Sequence, residues 1–348
     1  MDGVKYSMGP VDRIIFFGSG LLMVEAMELA RQSGFEVHAF FVKRHGVENI
    51  EAGAGCSLQD TLRQKGFDAY ESPDLNGSTQ LSDLVNDRTI GLGFGEVYTF
   101  NAATINLFKG RLLDFMTIRL PEYRGGAHFT WQILRQSRIG CWHIQLINED
   151  MIPGVNHPGM IMKTREYRLP AAARIPQDYF DAARREGLFL FQELLIDIQE
   201  GREQILTALQ ENFSLYLPRL NTLRHGFIDW TWTAGEIERF VAAFDDPYPG
   251  ASTFVAGRRI FLKDVQVDAG EGNFHPFMAG LIYRIFAGTV YVAARDMALL
   301  IGRADDETGH NVIPDLRPGM RFFTSRQHLE AAMTFAADYD AEGLVVQE

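Results

Sequence analysis

The sequence predicts an α/β protein of two units: a mostly parallel sheet covered by helices on both faces, then a smaller β-rich unit that closes as a barrel. Three observations carry this. Up to about residue 200, short apolar runs alternate with helical stretches, as parallel sheets require. After Gly226 the pattern changes to short β-rich pieces separated by glycines. A polar connection, roughly Gly201 to His225, lies between the two.

The elements follow in order. Arg13–Phe17 is a β-rich run, Gly18-Ser19-Gly20 a turn, Leu21–Arg31 a helix that Gly34 ends, and Phe35–Val42 the next strand. Ser57 caps a helix to Lys65. Thr89–Phe94 and Leu112–Leu120 read as strands, Ala127–Arg135 as a helix and Cys141–Ile147 as a strand. A long helix, Gln177–Glu200, closes the first unit. In the second, a helix over Ala234–Phe244 precedes strands at Ser252–Val255, Arg259–Val267, Gly288–Ala294, Ala298–Gly302 and Met320–Thr324. The domain limits are expected at 1–205 and 226–348, with 206–225 as linker.

The 348 residues suffice for two cores, and 46% hydrophobic with 22% charged residues is an ordinary soluble composition. The chain has no apolar run of membrane-spanning length and no basic-then-apolar start, so a cytoplasmic protein is expected, with no membrane partner. Cys56 and Cys141 have no metal-ligand spacing, which argues against disulfides and against a zinc site. A formal charge of −12 argues against a nucleic acid partner, since phosphate binding uses lysine and arginine. From Gly226 onward there are 10 basic against 18 acidic residues.

Gly18-Ser19-Gly20 occupies the place of a dinucleotide phosphate loop, but Met23 stands where the third glycine belongs. Lys43-Arg44 follows the second strand where an NAD site presents an acid; the pair suits a 2′-phosphate. The simpler reading is a tight strand-to-helix turn.

Leu120-Pro121-Glu122-Tyr123-Arg124-Gly125 resembles the Leu-Pro-x-Tyr-Arg-Gly signature of the folate-dependent formyltransferases that act on methionyl-tRNA or on amino sugars. Phe16-Phe17-Gly18-Ser19 is similar to that family's first strand and turn, and Ala127–Leu134 and Gly140 to the helix and strand after the signature. Ile228-Asp229-Trp230, Phe244 to Ala251, Gly288-Thr289-Val290 and Leu316-Arg317-Pro318-Gly319 resemble its C-terminal domain in the same order. The resemblance implies a Rossmann-like N-terminal domain, an OB-like C-terminal barrel, and a tetrahydrofolate derivative (10-formyltetrahydrofolate) as one-carbon donor.

The resemblance also implies a site. The family's Asn and His, which stabilise the oxyanion formed when an amine attacks the formyl carbon, fall at Asp114 and Met116; its proton-accepting Asp falls at His157. Methionine has no donor for an oxyanion and an ionised aspartate repels one. Losing one such donor costs on the order of 100- to 1,000-fold in rate. The spacing from Gly140 to His157 is also longer than in the family, with Asn148–Asn156 as the extra loop near the pterin site.

Candidate catalytic groups are therefore Asp114, His157, His128 and His143, with Phe94, Gly95, Met116, Arg124 and Trp142 around the pocket. Each has a plainer reading. His157 is a base of suitable pKa or an exposed loop residue. His143 is a working or a structural strand histidine, and His128 starts a helix, which favours its neutral form. Asp114 is a working carboxylate or a buried charge that needs a partner, with Arg119 and Arg124 near it in sequence. Phe94 and Trp142 line a ring pocket or fill the core. The leading expectation is an enzyme with a repurposed pocket, moving a one-carbon or acyl group onto a small amine, amino acid or sugar-like substrate. The others are a catalytically inactive homologue that binds a ligand or partner, and an ordinary folate-dependent N-formyltransferase whose catalytic residues lie elsewhere.

Overall fold

Ile14 and Phe16 pack into one apolar cluster and Ile15 and Phe17 into another, so strand Arg13–Gly18 is buried on both faces. That is why its sequence is a continuous apolar run rather than an alternation. The structure, a computed structural model, describes residues 4–47, 56–95, 98–126, 128–148, 159–208, 214–340 and 343–345.

In chain order the first part comprises β1 (Val4–Tyr6), β2 (Arg13–Gly18), α1 (Leu21–Gln32), β3 (Glu36–Phe41), α2 (Lys43–Gly46), α3 (Leu58–Gln64), β4 (Asp68–Glu71), α4 (Thr79–Leu84) and β5 (Thr89–Phe94). Then come α5 (Ala102–Leu107), β6 (Leu112–Met116), β7 (Tyr123–Gly125), α6 (His128–Leu134), β8 (Ile139–Leu146), β9 (Met160–Arg168), α7 (Pro176–Gln199), β10 (Gln204–Leu206) and β11 (Leu215–Leu217). Seven strands form one sheet in the order β4-β3-β2-β5-β6-β8-β9, parallel from β4 to β6 and antiparallel at β8 and β9. Helices α1 and α7 cover one face; α4 and α5 contribute to the other. Proline at the first turn and Asp178, which accepts from the backbone of Arg174 and Ile175, start α7.

The Gly-Ser-Gly turn has a packing cause. A Cβ on Gly18 would lie 2.1 Å from the carbonyl oxygen of Phe94, so β2 and β5 approach only through a glycine. Met23 is fully buried in the core beneath α1.

The second part comprises α8 (Thr222–His225), α9 (Ala234–Ala243), β12 (Ala251–Val255), β13 (Arg258–Gly272), β14 (Ile282–Phe286), β15 (Thr289–Ala293), β16 (Met297–Asp306) and α10 (Arg326–Thr334). Its five strands form an antiparallel sheet, β12-β13-β16-β15-β14. Residues 320–323 pair with both edges: Phe323 exchanges hydrogen bonds with Phe254, while Ile282 N–H donates to Met320 and Phe322 N–H to Gly280. That segment closes the sheet on itself without forming the full strand expected over Met320–Thr324.

Two further departures have physical reasons. The strand expected over Leu112–Leu120 ends at Met116; Ile118 and Leu120 are apolar because they pack with Met116 and Ile161 in a small cluster of their own. The connection between the units is not plain linker, since β10 pairs with β1 and β11 lies parallel to β7. The two sheets are separate, but one apolar cluster runs through both units, from Phe129 and Tyr179 to Ile237 and Val241.

Candidate active site

Strand alternation on β6 sends Leu113 and Phe115 toward α1 and α7, and Leu112, Asp114 and Met116 to the opposite face. In register, Asp114 stands across from Gln145 of β8, and Met116 from His143. On its other side Asp114 faces Gly93 of β5, where a Cβ would come 3.2 Å from Asp114 Oδ1. A glycine there leaves the carboxylate room.

Gln145 organises this face, although nothing in the local sequence pattern marks it. It is buried (2% exposed), and its amide nitrogen donates to Asp114 Oδ2 at 2.9 Å and to Met116 Sδ at 3.0 Å. Its oxygen accepts from the buried Gly159 N–H at 3.0 Å, which fixes the amide orientation. Both amide hydrogens are thereby engaged. Gln145 joins a half-buried carboxylate to the start of β9, immediately after the segment that holds His157. A mixed-faced strand gave no reason to single it out from Cys141 or His143. Only the register with Asp114 does so.

His143 is structural. Its Nε2 accepts from Leu120 N–H at 3.3 Å, so Nδ1 carries the proton and donates to Thr164 Oγ1 at 2.8 Å. Burial lowers its pKa to about 4, against a small opposing field from Glu166. Both nitrogens are thus committed and the ring is neutral. Cys141 Sγ lies 3.3 Å from the same Nε2, but burial raises the thiol to about 12, so the pair is no thiolate–imidazolium couple.

The remaining expected site residues fall in several places. His128 opens α6, which packs on α7 and α9. Its Nε2 is buried without a hydrogen-bond partner among the described residues, and burial lowers its pKa to about 4. Arg124 is paired away from the pocket: its Nε donates to Ser214 Oγ at 2.8 Å, and β7 lies against β11. Arg119, read as a partner for Asp114, bonds Glu166 at 3.0 Å and reaches Glu122 at 3.6 Å.

Phe94 and Trp142 do not line a pocket beside Asp114, which corrects that expectation. Phe94 packs on Phe16, Phe115 and Phe191. Trp142 stacks on Phe115 at 4.6 Å and donates from its indole to Ala183 of α7 at 2.7 Å. Alternation puts both on the helix-covered face, away from Asp114. Gly95 follows β5 with φ +81° and open space where a Cβ would stand. His157 lies outside the described residues.

Among the described residues no cluster of three or more His, Cys, Asp or Glu side chains is placed to hold a metal ion. No described helix is long and apolar enough to cross a membrane.

A family model described as "Formyl transferase, C-terminal domain" matches residues 222–313. Methionyl-tRNA formyltransferase of Agathobacter rectalis is 24% identical over 295 residues, covering 82% of this chain and 89% of that protein. The Chloroflexus aurantiacus enzyme of the same name is 25% identical over 272 residues, covering 76% and 83%. Among solved structures, an N-formyltransferase from Helicobacter canadensis, crystallised with folinic acid and dTDP-3-aminofucose, aligns with a TM-score of 0.60 at 14% identity, over 84% of this chain and 98% of that one. The sugar 3N-formyltransferase WlaRD gives a TM-score of 0.58 at 15% identity, over 84% and 98%. The C-terminal unit thus matches the formyltransferase C-terminal domain in sequence, and the chain as a whole shares the fold of the N-formyltransferases.

Proposed function

We propose that this chain is a transferase of the formyltransferase family with a rebuilt site, handling an amine-bearing small molecule through Asp114. The observation that carries this reading is the Gln145 bridge. It supplies one hydrogen bond to Asp114, a half-buried carboxylate on β6, next to β5, which adjoins β2 where the strand order reverses. In open α/β sheets, ligands bind at such reversals, at the strand C-termini. A carboxylate there suits an ammonium group in the ground state. As an amine becomes a nucleophile, the same oxygen takes its proton.

The resemblance implies a folate one-carbon donor, and the Helicobacter canadensis structure holds folinic acid while that of WlaRD was obtained in the presence of 5-N-formyl-THF. The residues here fit formyl transfer poorly. Methionine has no donor at Met116, the amide hydrogens of Gln145 are engaged by Asp114 and Met116, and His143 Nε2 is an acceptor already used by Leu120. No described group at this point of the sheet is placed to hold an oxyanion, so no step is routed through folate.

The decisive experiment is a thermal-shift screen of amines, amino acids and amino sugars on the intact chain, with Asp114→Asn alongside. A true ligand at 100 times its Kd stabilises by about 2.7 kcal/mol. Stabilisation by an amine, abolished in Asp114→Asn while the unliganded melting temperature holds, supports the reading. Equal stabilisation of both proteins would defeat it. The second reading, an inactive ligand-binding homologue, draws on the same engaged amide; it expects amine binding without any transfer product by mass spectrometry.

A further inference from the structure

A cavity of about 690 Å³ opens in the second unit, far in sequence from Asp114 and inside the usual range for small-molecule sites. One wall is aromatic. Phe227 and Phe254 lie parallel, 6° apart with centroids at 6.2 Å, and the His328 ring sits 4.5 Å from Phe254. Phe335 extends the wall.

Two arginines lie against this wall. Arg259 is held by two bonds from Nη2, to Leu223 O at 2.6 Å and Ser252 Oγ at 3.0 Å, with its guanidinium carbon 4.5 Å from the Phe227 ring centre and 5.0 Å from that of Phe261. Its Nε is buried with no hydrogen-bond partner among the described residues. Arg224, on α8, lies over Phe335 at 5.5 Å. Neither arginine has a carboxylate within 4.0 Å among the described residues, and burial, with Arg224 beside it, disfavours the charge on Arg259. Arg258 differs, being neutralised by Asp306 at 3.2 Å and Asp315 at 3.7 Å. Glu307 is on the lining and its field partly offsets Arg259.

Two unneutralised arginines in a concave site are notable in a chain of net charge −12. Arg259 is part-buried, and charge held away from water is normally paired. The pairing missing here is an anion, and the wall beside it is built to stack a flat ring. We propose that this cavity binds a nucleoside monophosphate, with the phosphate on Arg224 and Arg259 and the base against Phe254 and His328. The surrounding Asp306, Glu307 and Asp315 disfavour a longer polyanion, whose further phosphates would meet carboxylates. This inference is independent of the chemistry at Asp114.

Isothermal titration of the intact chain tests it with AMP and dTMP, with adenosine, thymidine and inorganic phosphate as part-ligands, and with a short oligothymidylate. At least one monophosphate is expected to bind at least about tenfold more tightly than its nucleoside and than phosphate, since the charge-assisted and stacking contacts act together. Arg224→Gln and Arg259→Gln should each weaken that binding by about tenfold or more. Arg326→Gln, on an exposed arginine of α10 paired with Glu330, should leave it unchanged. Because Arg259 also packs between two rings, Arg224→Gln is the decisive variant; Arg224 is exposed and its loss spares the core. No binding of either monophosphate at millimolar concentration overturns the proposal. So does unaltered affinity in Arg224→Gln, or phosphate alone matching the nucleotide. Tighter, steeply salt-dependent binding of the oligonucleotide overturns it in favour of a nucleic-acid surface.

Discussion

Gln145 Nε2 donates to Asp114 Oδ2 at 2.9 Å, and the same side chain accepts from Gly159 N–H at 3.0 Å. One buried amide therefore ties the candidate carboxylate to the strand that follows residues 149–158. Replacing it by an acid reverses the sign of the contact: Gln145→Glu sets two carboxylates in hydrogen-bond range, and their mutual repulsion raises the pKa of the pair. The variant should be less stable than the parent at pH 7 and should recover toward it as the pH falls and the pair takes up a proton. Urea melts at pH 7 and pH 5 give the comparison; a deficit that grows at pH 5 would contradict the assigned contact.

Gln145→Ala removes the acceptor of a buried backbone N–H and the donor to a carboxylate together. A loss of about 2–4 kcal/mol is expected, the sum of an unsatisfied amide and a lost charge-assisted bond. Equilibrium unfolding measures it, and a change below about 0.5 kcal/mol would mean that water replaces the amide at no cost.

Stability should also fall with acid in a window set by the buried histidines. His143, His128 and His45 each have a pKa lowered from 6.5 to about 4, in every case first by burial. The unfolded chain binds these protons as the pH drops through 6.5, whereas the folded chain does so only near 4. The stabilisation is therefore complete above about 6.5 and drains away between there and about 4. For His143 alone the span corresponds to something on the order of 3 kcal/mol. His143→Gln should flatten the pH dependence over that interval relative to the parent, while costing stability at pH 7 through the bonds to Leu120 and Thr164. Parallel slopes for parent and variant would remove His143 as a source.

Gly125 is the residue of the Tyr-Arg-Gly signature with the least freedom. Its φ is +103°, and an added Cβ would lie 1.8 Å from Leu217 O. Gly125→Ala should cost more than about 3 kcal/mol, because β11 must leave β7 to make space. Limited proteolysis near residues 209–219 should accelerate in the variant; unchanged cleavage would show that the strand pair tolerates displacement.

The relatives named for methionyl-tRNA make nucleic acid a direct question. With 10 basic against 18 acidic residues from Gly226 onward, we expect no tRNA binding at physiological salt. Micromolar affinity in an anisotropy titration, weakening steeply with salt, would reverse that expectation.

The sequence revealed the parallel part of the sheet because its strands are buried on both faces and so read as apolar runs, as at Ile14 to Phe17 and Thr89 to Phe94. It concealed β9 because that strand is at the sheet edge. Lys163 and Arg165 on it reach Asp197, Glu186 and Glu193, ion pairs that break the apolar pattern. Asp114 stood out as a charge in an apolar strand. Gln145 did not, since its importance lies in a register between strands that local pattern cannot supply. His143 reads either as a working or as a structural histidine for want of one fact, the Leu120 N–H that occupies its Nε2. Phe94 and Trp142 were ambiguous because an aromatic on a strand looks alike whichever face it occupies.

The joining of β1 to β10 and of β7 to β11 bears on how the chain is made. Arg124 and Ser214 meet across 90 residues, and Lys5 and Glu203 across 198. At about 5–20 residues per second, the signature waits roughly 5–20 s on the ribosome for its partner strand, with its backbone groups unpaired. The first unit therefore cannot mature as soon as α7 emerges. Its last strand pairings are delivered by the segment that leads into the second unit, so a chain truncated near residue 200 should be a better target for chaperones and proteases than one in which β10 and β11 can pair with β1 and β7.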